Sequence, residues 1–221
     1  MRKIQRGLSG RIYIIAIIFA VSIFLLGLSV GIIFNNYVQY KFEEDKDLLE
    51  VHLTSLNLKD KLISSSEDIC QFSLDQILED KNELGDKISV LENKKGKHNR
   101  EVLIQKEFYQ LIEIKTLILL KEFKEKCNIE KDIILFFYTN DENDLLGNSY
   151  LSEEQGYILT NLYELNPDKF VIFSFDINAE NDAVQTLMNI HDITKAPLTV
   201  IDKEMFDKYR NIGELKDLVG L

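Results

Sequence analysis

Hydrophobic and polar positions change rhythm several times along this chain, and each change marks an element. From Ile12 to Phe34, 23 residues pass without a charge. As a helix rising 1.5 Å per residue, this stretch reaches about 34 Å, enough for a hydrocarbon core of roughly 30 Å. From Val38 to Ile63 the chain is charged and leucine-rich, with no Gly or Pro. Val38, Phe42, Leu49, Leu53 and Leu56 fall on one helical face, which predicts a helical stalk over 35–64. Too few clean heptads are present to require a coiled coil. Ser64-Ser65-Ser66 interrupts this pattern. Ser66 would cap a new helix, with Glu67 and Asp68 in its first turn. Ile69, Phe72, Ile77, Leu84, Ile88 and Leu91 then form an apolar stripe to about Glu92. A polar loop at 93–100 contains Gly96 as the breaker. The next helix, Glu101 to Lys126, is apolar around nearly its whole girth at Leu117–Leu120, so burial on more than one side is expected. Together these two helices predict an antiparallel hairpin over 65–128.

Beyond residue 129 the rhythm shortens. Apolar runs at Ile133–Tyr138 and, but for Ser174, at Phe170–Phe175 read as strands covered on both faces. Helical patterns follow at Ser152–Leu165 and about Ala179–His191. Asn166-Pro167-Asp168 supplies a turn. Leu198–Ile201 and Met205–Tyr209 flank Asp202-Lys203-Glu204 as two further strands, and Ile212–Val219 closes the chain as a helix. The expected fold class is α/β: a C-terminal domain over 129–221, preceded by a basic tail (1–11), a transmembrane helix (12–34), the stalk and the hairpin.

Charge orients this plan. The net charge of -11 argues against nucleic acid as a partner, because phosphates demand a basic surface. Residues 1–34 run the other way, with Arg2, Lys3, Arg6 and Arg11 and no acid. After the span, Lys41 and Lys46 sit among Glu43, Glu44, Asp45 and Asp47. The positive-inside bias therefore predicts a single-pass protein of the cell membrane, its N-terminus cytoplasmic and its C-terminal domain outside. A cleaved signal peptide is the rival reading. Its apolar region is usually about 7–15 residues and ends in small residues. This one is longer, and Gly31-Ile32-Ile33-Phe34-Asn35 lacks such a site, so an uncleaved anchor is expected. Gly27 and Gly31, with Ala16 and Ala20, have the spacing by which membrane helices approach closely. The same spacing is common in lone spans, so a homodimer through this face or through the stalk stays open.

Candidate chemistry is sparse. His52, His98 and His191 are scattered without metal-ligand spacing, and no Walker loop, GxSxG or HExxH occurs. No metal and no cofactor is implied, and the case for an enzyme is lowered without being closed. The two cysteines, Cys70 and Cys127, are equidistant from the loop at 93–100. In an antiparallel hairpin such residues lie level, so a disulfide at its open end is expected in an oxidising compartment. Two unrelated buried thiols are the plainer alternative.

The strand–helix–strand–helix–hairpin–helix order resembles the thioredoxin-like superfamily. Ile133–Tyr138 is similar to its first central strand, Lys195-Ala196-Pro197-Leu198-Thr199-Val200-Ile201 to the segment bearing its cis-proline, and Glu153–Leu159 to the helix that starts at its redox motif. With the span and hairpin, the chain is similar to membrane-anchored, archaeal-looking members. The resemblance implies a groove at Ala196 and Pro197 that presents backbone to a polypeptide partner. It also implies a CxxC pair at the helix start, where this chain has Ser149 and Ser152. A serine hydroxyl cannot exchange a disulfide. The resemblance therefore predicts a redox-inactive module for binding or assembly. A thiol–disulfide enzyme using Cys70 and Cys127, and a structural stalk protein, are the alternatives. Independently of any resemblance, one of the two serines would serve as a helix cap.

Overall fold

The structure is a computed structural model, and it describes residues 10–66, 68–201, 204–207 and 209–219. Residues 1–9 of the basic tail, Glu67, and Asp202-Lys203 of the expected turn lie outside them. The chain divides into two compact units, residues 1–47 and 48–221. One helix, α1 (Gly10–Ser64), begins in the first and ends in the second.

In the first unit, α1 is long and apolar enough to cross a membrane. Side chains from Ile12 to Phe34 are exposed all round, as a lipid-facing helix requires. Ser22 and Ser29 donate their hydroxyls to Ile18 O and Leu25 O, so these polar groups are satisfied inside the helix. Nothing stands within 4 Å of a Cβ built on Gly27 or Gly31.

The second unit starts with the end of α1. Leu49, Leu56 and Ile63, seven residues apart, are buried in the main core, with Leu53 packed against it. From Leu49 onward the stalk's apolar face is therefore covered by its own chain. Ser66 ends α1 by donating to Ile63 O instead of capping a new helix. The single helix expected from Ser66 is two elements: a 3-10 turn at Ile69–Gln71, capped by Asp68, and α2 (Asp75–Lys95). Phe72, assigned to the stripe, lies between them and is exposed. At Gly96 a φ of 90° stops α2, and its N–H donates to Glu92 O. α3 (Arg100–Cys127) is capped by Asn99 and ends at Asn128 in the left-handed region. Cys70 and Cys127 form a disulfide, Cα–Cα 5.4 Å, between the 3-10 turn and the end of α3.

The rest is a small mixed sheet with helices: β1 (Asp132–Tyr138), α4 (Ser149–Leu165), β2 (Phe170–Asp176), α5 (Asp182–Ile190), β3 (Leu198–Ile201), β4 (Glu204–Phe206) and α6 (Ile212–Leu218). The sheet order is β2-β1-β3-β4. β1 and β2 are parallel, while β3 runs antiparallel to both β1 and β4. Alternation assigns the faces. Leu135, Phe137, Phe173 and Phe175 point into the core shared with α3 and α5, while Ile134, Phe136 and Phe170 meet Leu159, Leu162 and Leu215 of α4 and α6. The larger boundary differences from the sequence expectation are three: α4 starts three residues earlier, α5 starts three residues later than Ala179, and β4 is Glu204–Phe206 rather than Met205–Tyr209.

Candidate functional site

At the C-terminal end of β1 the chain makes a loop, 139–148, before entering α4. Thr139, fully buried, anchors it. Its hydroxyl accepts from Asp141 N at 3.1 Å and from Asn178 Nδ2 at 2.7 Å. Gly147 is required here by space: a Cβ would collide with the Thr139 side chain and stand 2.9 Å from Asp144 Oδ2. This close approach brings the loop to the segment before β3. Ala196 N–H donates to Leu146 O and Asn148 N–H donates to Ala196 O, both at 3.0 Å, and Gly147 pairs with Ala196 as a parallel bridge. The Ala196–Pro197 bond is cis, and both residues are buried.

Those hydrogen bonds bring the residues singled out from sequence together. Ser149, half-buried, is the first residue of α4. Ser152, 3 % exposed, accepts the N–H of Thr139 at 3.2 Å and so ties α4 to the end of β1. Neither serine is the cap. Asn148 is, its side chain accepting from Leu151 N at 2.9 Å. Gln155, buried one turn on, accepts from Arg210 N at 2.7 Å and holds the entry to α6. Around this point the surface is apolar. Leu145 is 98 % exposed, and Leu146, Tyr150 and Leu151 are exposed beside it.

The disulfide belongs elsewhere. Cys127 precedes the N-terminal end of β1, whereas Ser149 follows its C-terminal end, so a strand of about 20 Å separates them. Its sulfurs are not part of the Ser149–Pro197 site. Among the described residues, no three His, Cys, Asp or Glu side chains converge to hold a metal.

A second concentration of polar groups was missed in the sequence. Lys81 of α2 and Glu113 of α3 are buried 3.7 Å apart at the edge of β2. Lys81 Nζ donates to Ile172 O at 2.7 Å, and Glu113 Oε1 accepts from Ser174 N at 3.1 Å. Burial pushes the Glu113 carboxyl up to about 7 against the pull of Lys81 and the Ser174 N–H. Burial likewise lowers Lys81, opposed by Glu113. Lys106 of α3 lies 3.0 Å from Glu92 and 3.5 Å from Asp176. Burial alone would lower it, but Tyr138, Glu92 and Asp176 together hold it above the ordinary lysine value. The signal was present: Lys81 occupies the stripe of Ile77, Leu84 and Ile88, and a charge on an apolar stripe is a buried charge in need of partners.

No family model matches this chain, and neither a curated protein nor a solved structure matches it.

Proposed function

We propose that this chain is a single-pass membrane protein whose thioredoxin-like C-terminal domain lies outside the cytoplasm and binds a polypeptide without reacting with it. The observation that carries this reading is the pair of hydrogen bonds between Ala196 and the Leu146–Asn148 segment. They set the proline-bearing loop against the start of α4, with Ser149 and Ser152 at the two positions where dithiol chemistry would need sulfur. The sheet order and the surrounding apolar residues support it. So does the disulfide, which suits an oxidising compartment, and the basic residues before the span support the orientation.

The test uses the full-length protein in neutral detergent and a fluorescently labelled, reduced and alkylated polypeptide. Saturable binding is expected, weakened about ten-fold by Leu146→Glu and unchanged by Leu58→Glu, an exposed position on α1. Turnover of a protein disulfide with dithiothreitol should not exceed the uncatalysed rate. Binding indifferent to Leu146→Glu, or turnover that disappears with Cys70→Ser, overturns the reading.

A further inference from the structure

The last part of α1 has two apolar faces. With Leu48 at position a of a heptad, Leu49, Leu53, Leu56 and Ile63 fall at b and f, and these face the chain's own core. Leu48, Val51, Leu58 and Leu62 fall at a and d, on the far side, and are between 46 % and 68 % exposed. No other large apolar side chain from 48 to 64 is exposed. The remaining positions c, e and g hold Glu50, His52, Thr54, Asn57, Lys59 and Lys61. A face that is apolar only at a and d is the narrow seam by which one helix packs along another, not the wide stripe that rests on a globular surface.

Ser55, exposed at the central a position, discriminates among helical partners. In a parallel pair of identical helices without axial offset, a meets a and d meets d. Ser55 then faces its own counterpart, as does each leucine and valine of the seam. A shift of one heptad sets Ser55 against Leu48 and Leu62. An antiparallel pair packs a against d, which sets Ser55 against Val51 or Leu58. Only the symmetric parallel arrangement of two copies matches polar with polar and apolar with apolar. It also places Thr54 of one copy level with Lys59 of the other, so like charges do not oppose there.

Toward the span the a and d positions hold Lys41 and Glu44, which bind each other at 2.6 Å, so the apolar seam is about two heptads long. That is short of the roughly 1,200 Å² buried by a stable free interface. A single-pass anchor makes up the difference by holding two copies parallel and raising their effective concentration.

We propose that Leu48, Val51, Leu58 and Leu62 pair two copies of this chain in parallel. The inference rests on reading α1 as a membrane anchor and is independent of polypeptide binding at Leu146.

The experiment reconstitutes full-length protein in phosphatidylcholine vesicles and oxidises it with copper–phenanthroline. Cys70 and Cys127 are bonded to each other, so a thiol added by substitution is the one free to react. Ser55→Cys should give a linked dimer at least about ten-fold faster than Asn57→Cys, whose side chain points away from the seam. Adding Leu58→Glu and Leu62→Glu should slow linking at least about ten-fold, because carboxylates then face each other across the seam. Circular dichroism should stay unchanged, since both leucines are exposed. Gly27→Leu with Gly31→Leu should leave linking as it was. Equal linking at 55 and 57, linking that survives Leu58→Glu with Leu62→Glu, or linking abolished by the glycine substitutions overturns the proposal. Protein extracted from the vesicles by alkaline carbonate overturns the anchor, and the tethered pair with it. Protein that is retained but does not link overturns the pairing alone.

Discussion

Lys81 and Glu113 stand 3.7 Å apart and between them finish the outer edge of β2, one donating to Ile172 O and the other accepting from Ser174 N. An open strand edge invites pairing with another chain. Here the edge is closed by side chains from the helical hairpin, which makes α2 and α3 part of the α/β body.

The pair sets an unusual pH dependence. Glu113 has a folded pKa of about 7, above its ordinary 4.5. The folded state therefore holds this proton more tightly than the unfolded chain. Its stabilising contribution is present below about pH 4.5 and is lost as pH rises through about 7. Urea denaturation at pH 5 and pH 7.5 should show Glu113→Gln losing a decline of order 1–3 kcal/mol that the parent displays. Identical pH profiles for the two proteins would show that Glu113 titrates normally.

Lys106 should be a costly lysine to remove. Removing it strands Glu92 and Asp176 beside one another in a mostly buried site. Lys106→Ala is expected to destabilise by about 3–5 kcal/mol, with Lys87→Ala, an exposed lysine, near zero.

The end of α1 should behave as core. Leu56→Ala and Ile63→Ala are expected to cost about 2–4 kcal/mol in chemical denaturation, against less than about 0.5 for Val51→Ala on the exposed side. Equal small effects would return residues 48–64 to the role of a free stalk.

Opening the disulfide tests the hairpin's tie. Cys70→Ser with Cys127→Ser removes a link spanning 57 residues, and unfolding should become easier by about 2–4 kcal/mol under non-reducing conditions. Polypeptide binding should persist in this variant below its unfolding midpoint, because the sulfurs lie at the far end of β1.

Gly147→Ala tests the joint itself. The added methyl must displace the Thr139 side chain, so a loss of about 1–3 kcal/mol is expected together with weaker binding at the Leu146 surface.

The strands were legible because Ile133–Tyr138 is apolar throughout and Phe170–Phe175 is broken only by Ser174, and the cysteine pairing followed from symmetry about the loop. Helix starts were less legible. Asn99, Asn148, Asn181 and Asn211 all cap helices, yet Ser152 is as good a start for α4 by residue type, and the long-range bonds that decide it, Asn148 N–H to Ala196 O and Thr139 N–H to the Ser152 hydroxyl, do not show in local sequence. The fate of Leu49, Leu56 and Ile63 was hidden because an amphipathic stripe does not say whether its cover comes from the same chain or another. Lys81 and Glu113 were passed over because a periodicity reading counts apolar residues and ignores the charges between them.

The most direct measurement of non-reactive polypeptide binding at the start of α4 is hydrogen exchange on the full-length protein, with and without the alkylated polypeptide. Added protection at 145–151 and 194–198, with no change near Cys70 or Cys127, is the predicted result. Protection confined to 48–64, or a mixed disulfide trapped on Cys70 when the polypeptide carries free thiols, would contradict it.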